Sequence, residues 1–355
     1  RLIVDDNSRI SLSNNDGNTS NTVFGKNAFV KDDQTILGDV GADFNVVIGE
    51  DAMGDADTLI AARNVAIGYA AMKLVTGSDD NIAIGSSALH NASTGGVNVA
   101  IGTNSMYYIT TGQRNVAVGA YSMAMNNDGN PRESVDNAFV GYNSGGGTWA
   151  NATSSQNTAV GSYSMDGGLD NVDDNSSFGY KSLTELTSGE NNVAVGSSAG
   201  AVTTVEDDNV FIGKDSASLM YGASNVAVGK EALKGATFTD TTCHVTSGNA
   251  PILHDNNATI LAGMGVKGVG IPAGSYVHAK DSNTQFTLNT TATAGDGSEI
   301  TLTFYSRTHS TVAIGMDTGT NITAGVANTI LGHQAGQSLA NSDYNVIIGY
   351  RAAQS

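Results

Sequence analysis

The sequence predicts an all-β protein, a parallel β-roll or β-solenoid carrying one small inserted β-sandwich-like domain. Three observations carry this. A pentad close to Asn-Val-Ala-Ile-Gly recurs fifteen times, ending at Gly25, Gly49, Gly68, Gly85, Gly102, Gly119, Gly141, Gly161, Gly179, Gly196, Gly213, Gly229, Gly315, Gly332 and Gly349. Most spacings are 17 residues, within a range of 16 to 24 outside one long gap. A fixed period of this size means a stack of coils in which each turn of chain rests on the last. The gap, roughly 70 residues before Thr311, alternates short apolar runs with Gly, Asn and Asp turns, the pattern of an antiparallel β-domain. Four segments follow: 1–20, an N-terminal β segment; 21–234, the repeats; 235–308, the insertion; and 309–355, the repeats resumed.

In the first segment, Leu2-Ile-Val4 and Arg9-Ile-Ser-Leu12, followed by Asn14-Asn-Asp-Gly17, read as a strand pair leading into a turn. It is placed to seat the roll on an upstream segment. The long spacing between Gly25 and Gly49 leaves room for a degenerate copy at Gln34-Thr-Ile-Leu-Gly38, and loops lengthen again around Gly129 and Gly147. A solenoid varies at such loops without disturbing its core.

Within the repeat, the residue before each glycine is always apolar, as in Ile67, Ile84, Ile101, Val118, Val195 and Ile348. That column is expected to be buried. Two before the glycine stands alanine in most copies, with Val47, Phe139, Phe211 and Ile347 as larger variants. Three before it, Val or Ile dominates. Alternate side chains of a strand point to opposite faces, so an apolar triplet commits both faces to burial. One face can fill the coil's own interior; the other needs a separate cover. Three after the glycine the residue is always small, and the next is often Met or Leu, a second and weaker packing element. That segment could be a second strand or a single helical turn.

The glycines Gly68, Gly85, Gly102, Gly119, Gly196 and Gly349 fit corners needing φ > 0 or leaving no room for a Cβ. Asparagine stands four places earlier in fourteen copies, among them Asn64, Asn81, Asn98, Asn115, Asn192 and Asn345, with Thr311 the one departure. Asparagines stacked at strand spacing can form an amide ladder. Both columns read as architecture, because a phosphate loop needs a helix or a lysine in fixed register that this period lacks.

Leucine is too sparse for a leucine-rich repeat, and one apolar triplet per coil favours a flattened, two-sided coil over a triangular one. The N-(S)-V-A-I-G-x-x-A/S pattern resembles the head repeats of trimeric autotransporter adhesins and related repeats of bacteriophage tail fibres. The resemblance covers about 21–235 and 309–355. It implies a left-handed parallel β-roll with three chains packed about a common axis, which would supply the missing cover. Adhesin heads commonly place serine between asparagine and valine, whereas here the two abut.

The insertion contains Ala258-Thr-Ile-Leu-Ala262, a turn at Gly268-Val-Gly-Ile-Pro-Ala-Gly274, Tyr276-Val-His278, Gln285-Phe-Thr-Leu288 and Glu299-Ile-Thr-Leu-Thr-Phe304. These read as strands of a β-sandwich or barrel projecting from the shaft. The segment also resembles, more weakly, small β-domains of phage structural proteins.

Composition excludes several functions. With 34 acidic and 16 basic residues the net charge is −18, which repels phosphate backbones and anionic membranes, so nucleic acid is not an expected partner. No apolar run reaches the ~18 residues of a membrane helix. Acidic pairs such as Asp79-Asp80, Asp173-Asp174 and Asp207-Asp208 fall in turns and stand in no EF-hand register, so Ca²⁺ is a minor alternative to simple solvation and no cofactor is expected. The chain starts without Met and stops just after a fresh coil, as a piece of a longer protein would. The single Cys243 allows no internal disulfide.

Catalytic constellations are scarce. His244, His254, His278 and His309 lie in or beside the insertion with Cys243, but their separations match no zinc signature. A polysaccharide-cleaving tailspike would need two carboxylates flanking a groove, and no pair is singled out. Trp149, the sole tryptophan, could stack on a sugar or plug a gap between coils. With Tyr276 and His278 it makes up the receptor-facing candidates. The expectation is therefore not an enzyme but a homotrimeric fibre segment of a virion, most simply a phage tail fibre, contacting a host-surface glycan or protein and other fibre proteins. A bacterial cell-surface adhesin is the alternative.

Overall fold

A computed structural model of the chain describes residues 9–11, 21–29, 42–54, 60–124, 133–149, 153–255, 257, 259–337 and 339–354. The chain divides into two compact units, Arg1–Asn175 and Ser176–Ser355. Among the described residues every regular element is a strand.

In the first unit, Thr22–Gly25, Val46–Ile48, Val65–Ile67, Ile82–Ile84, Val99–Ile101, Val116–Val118, Ala138–Val140 and Thr158–Val160 stack as parallel rungs in chain order. Each column of the pentad pairs with itself, as in Val65↔Ile82, Ala66↔Ala83 and Ile67↔Ile84. Arg9–Ser11 pairs antiparallel with Thr22–Gly25. Leu2–Val4, the possible copy at Gln34–Gly38 and the loop at Gly129 lie outside the described residues.

In the second unit the rungs are Ser176–Phe178, Val193–Val195, Val210–Ile212, Val226–Val228, Val312–Ile314, Thr329–Leu331 and Val346–Ile348, again parallel. The insertion leaves between the fourth and fifth of these. Those two rungs still pair directly, Val226 on Val312 and Val228 on Ile314.

The segment after the glycine is neither strand nor helical turn. It is a tight turn in which alternate residues are left-handed, for example Ala70 at φ 54° and Met72 at φ 50°, with a third such residue, Arg63 at φ 60°, just before the asparagine. A non-glycine residue there costs roughly 1–2 kcal/mol, offset because its N–H reaches an adjacent rung: Ala70 N–H donates to Glu50 O at 2.9 Å and Met72 N–H to Ala88 O at 3.0 Å. The corner glycine is stricter. Gly68 sits at φ 136°, and a Cβ there would overlap the carbonyl of Gly85 in the next rung.

The interior is filled by the alanine column, by the small residue after the corner and by the Met or Leu that follows it; Ala66, Ala83, Ala100, Ala71, Met72 and Leu89 are fully buried. Where the alanine is replaced by phenylalanine, a glycine makes room. A Cβ on Gly145 would meet the Phe139 ring at 2.6 Å, and one on Gly200 the Phe211 ring at 2.6 Å. The column directly before the glycine behaves differently from expectation. It points outward with the column two places earlier, because strand alternation assigns the single inward position to the alanine; Ile84 and Ile101 remain 36 % exposed and Ile348 69 %.

The insertion closes on itself as a six-stranded barrel, one of the two arrangements its segments allow. Asp296–His309 pairs with Thr237–Thr246, then follow Pro251–Leu253, Gln285–Leu288 and Val277–Lys280, all antiparallel. A bridge from Tyr276 to Gly265 and the pairing of Gly265–Lys267 with Asp296–His309 complete the circuit. Cys243, Val245, Ile252, Val277, Phe286, Leu302 and Phe304 fill it. The strand Asp296–His309 continues into the roll, where its end pairs in parallel with Met220–Tyr221 and Ala324–Val326. Barrel and roll are thus joined by a continuous strand.

Candidate functional site: an outward apolar face and an inserted barrel

The asparagine column lies behind the rungs. Asn64 Oδ1 accepts both the backbone N–H of Asn81 at 2.9 Å and its side-chain amide at 3.1 Å, while Asn64 Nδ2 donates to Ser78 O at 2.8 Å. The unit repeats at Asn81, Asn98 and Asn115, and again between Asn192 and Asn209 and between Asn328 and Asn345. At Thr311, Asn225 Oδ1 takes the Thr311 N–H and the Thr308 hydroxyl, each at 3.1 Å. Asn64, Asn81, Asn98, Asn115 and Asn192 are fully buried, so their amides are committed to the stack and not offered to a ligand.

In front of this ladder each unit presents a ribbon of half-exposed apolar side chains. Ile48, Ile82, Ile84, Ile101, Val116 and Val160 form it in the first unit; Phe178, Val195, Ile212 and Ile314 in the second. Ile67 and Val118 belong to the same row and are half-buried. Covering such a side chain contributes on the order of 1 kcal/mol. At the glycine corner of the first unit, Tyr121, Tyr142 and Tyr163 stack edge-to-face on successive rungs, with centroids 6.0 and 5.4 Å apart.

Trp149 is not available for a receptor. It is fully buried, donates Nε1–H to Gly145 O at 2.9 Å and packs edge-on against Phe139 at 5.9 Å, which is the gap-filling role. Tyr276 and His278 alternate with buried Val277 on the outside of the barrel. The Arg307 guanidinium covers the Tyr276 ring at 4.2 Å, and His278 is exposed.

The barrel's other titratable groups do not assemble a reaction centre. Among the described residues no three His, Cys, Asp or Glu side chains are placed to hold a metal ion. Burial and the neighbouring Asp240 carboxylate push the Cys243 thiol up to about 12, so it is inert as a nucleophile. His254 is buried 3.6 Å from Asp240 with neither ring nitrogen hydrogen-bonded. His244 Nδ1 lies 3.0 Å from Gly297 O, and His309 Nδ1 accepts the Ala223 N–H at 3.1 Å. Burial, with the Arg307 charge, holds the His309 imidazole below its usual range.

Sequence reasoning passed over one position. The column seven places before the glycine holds small residues such as Ala61, Ser78, Gly95, Gly112, Ser134 and Gly189, and Glu206 is its one charged member. Glu206 is only 8 % exposed, and its Oε2 accepts the N–H groups of Thr204 at 2.7 Å and Val205 at 3.1 Å. Burial pushes its carboxyl upward in spite of those donors and the nearby Arg307. The charge in a column of small residues was the available signal.

No family model, curated protein or solved structure matches this chain. No helix among the described residues is long and apolar enough to cross a membrane.

Proposed function

We propose that the chain is a segment of a homotrimeric fibre, a phage tail fibre shaft or its receptor-facing part, which attaches a virion to a host surface. The observation that carries this is the outward apolar ribbon. It recurs with the same residue types on rung after rung, so an identical chain offers a matching surface, and association buries what one chain leaves wet. A stiff trimer then displays three copies of every loop and of the barrel, and weak contacts to a surface glycan or protein add through effective concentration. The role is mechanical rather than catalytic.

Sedimentation equilibrium on the purified chain tests the assembly, with three times 36.2 kDa expected and dissociation on introducing Ile84→Asp with Ile101→Asp. A stable single-chain species at micromolar concentration would remove the argument. Recovery with virions rather than with a bacterial envelope separates the phage fibre from a bacterial adhesin built on the same repeat.

A further inference from the structure

We propose that a cavity where the barrel meets the back of the roll binds one residue of a neutral, hydroxyl-bearing sugar. The cavity measures about 220 Å³ and is walled by Tyr221 and Thr204 of the roll and by Val266, Lys267, Ile271 and Pro272 of the barrel. That is below the ~300–1,000 Å³ of pockets for drug-sized ligands, so it has room for a single small ring.

Its walls are preformed. A Cβ on Gly274 would meet Val205 at 2.9 Å and one on Gly265 the Tyr221 ring at 3.3 Å, so the two parts close on each other without slack. Tyr221 is pinned edge-on against Tyr305 at 4.7 Å, and its backbone pairs with Arg307. A site that is already ordered avoids the entropy of forming around its ligand.

The chemistry is two-sided. Tyr221, Val266, Ile271 and Pro272 offer an apolar wall suited to the C–H face of a pyranose. Beside it, Lys267 Nζ donates to Glu185 Oε2 at 2.6 Å, a pair whose members are 54 % and 41 % exposed. Such a pair presents a donor and an acceptor side by side with no net charge, which adjacent hydroxyls satisfy together. A charged ligand would have to displace one partner and leave the other without its counter-charge. The assignment deepens the attachment reading by naming the class of receptor group, and rests on it only for the biological purpose.

The test is saturation-transfer NMR on the full chain with methyl glycosides of glucose, galactose, mannose and N-acetylglucosamine, and with glucuronate as the charged comparison. Expected is transfer to at least one neutral glycoside in the millimolar range. Lys267→Met and Glu185→Gln should each weaken it tenfold or more with unchanged thermal unfolding, while His244→Ala, in a separate groove, leaves it intact. No transfer to any neutral glycoside, stronger binding of glucuronate, or variants that bind as the parent overturns the proposal. Sugar binding is read independently of assembly: a trimer without it sinks only this proposal, and a sugar-binding monomer sinks only the fibre reading.

Discussion

Replacing Asn98 by leucine removes the central link of the amide ladder while keeping the four-atom side-chain skeleton branched at Cγ. The amide makes four side-chain hydrogen bonds: Nδ2 donates to Asn81 Oδ1 at 3.1 Å and Gly112 O at 2.9 Å, and Oδ1 accepts the Asn115 backbone N–H at 3.0 Å and side-chain amide at 3.2 Å. Asn81 Oδ1 keeps the Asn98 backbone N–H and Asn115 Nδ2 keeps Ser134 O, so those two groups stay satisfied. The Asn115 N–H and the Gly112 carbonyl are stranded in the interior. Each stranded group costs about 1–3 kcal/mol, so Asn98→Leu should destabilise by roughly 2–6 kcal/mol. Urea unfolding followed by far-UV circular dichroism reads the loss, with exposed Thr103→Ala as a control expected to stay within ~0.5 kcal/mol. Asn98→Asp adds a second reading. Its carboxylate would face two acceptors, raising its folded pKa above ~3.9; the deficit should be largest at neutral pH and shrink as pH falls and the proton restores a donor. If Asn98→Leu unfolds within ~1 kcal/mol of the parent, the ladder is ornament and the reasoning fails.

Other outcomes follow from packing and charge. Gly145→Ala should lose about 1–3 kcal/mol by driving a methyl into the Phe139 ring at a left-handed φ of 62°, and Phe139→Ala in the same chain should restore part of it, as a double-mutant cycle would measure. For Glu206, a raised folded pKa means stability present below the unfolded value near ~4.3 and lost as pH rises through the folded one; Glu206→Gln should therefore gain thermal stability over the parent as pH climbs toward 8. Asp240 is the opposite case. Burial acts to raise its pKa but is outweighed by the Thr242 hydroxyl and amide, the Asn257 amide and the nearby His254, so the carboxyl is held low. Its contribution is full above ~3.9 and fades as pH falls through the lower folded value, so parent and Asp240→Asn should converge in acid when unfolding is followed by near-UV dichroism.

The rungs, their register and the amide ladder were legible because a column repeated fifteen times averages out local accident. The direction of the outer columns was not, since an apolar triplet looks alike from either side and only the size contrast of alanine marks the inward position. The pairing of Phe139 with Gly145 and Phe211 with Gly200 was visible as two variant columns, yet their coupling required knowing that both face one narrow interior. The turn after the glycine escaped because left-handed Met72 and Leu89 defy intrinsic preference; inter-rung hydrogen bonds hold them there. The cavity between barrel and roll joins Tyr221 to Lys267, and Lys267 pairs with Glu185 beside it; the three are far apart in sequence and meet only once the barrel folds back on the roll.

The direct pairing of Val226–Val228 with Val312–Ile314 also dictates an order of events. Elsewhere a new rung can settle as soon as some seventeen residues have emerged from the ribosome, since its template lies just beneath. At this joint the template must wait through the whole of the barrel, with its greasy edge unpaired. Biogenesis is slowest and most exposed to error there, and a folding assistant would have most to gain by holding the nascent polypeptide at that step.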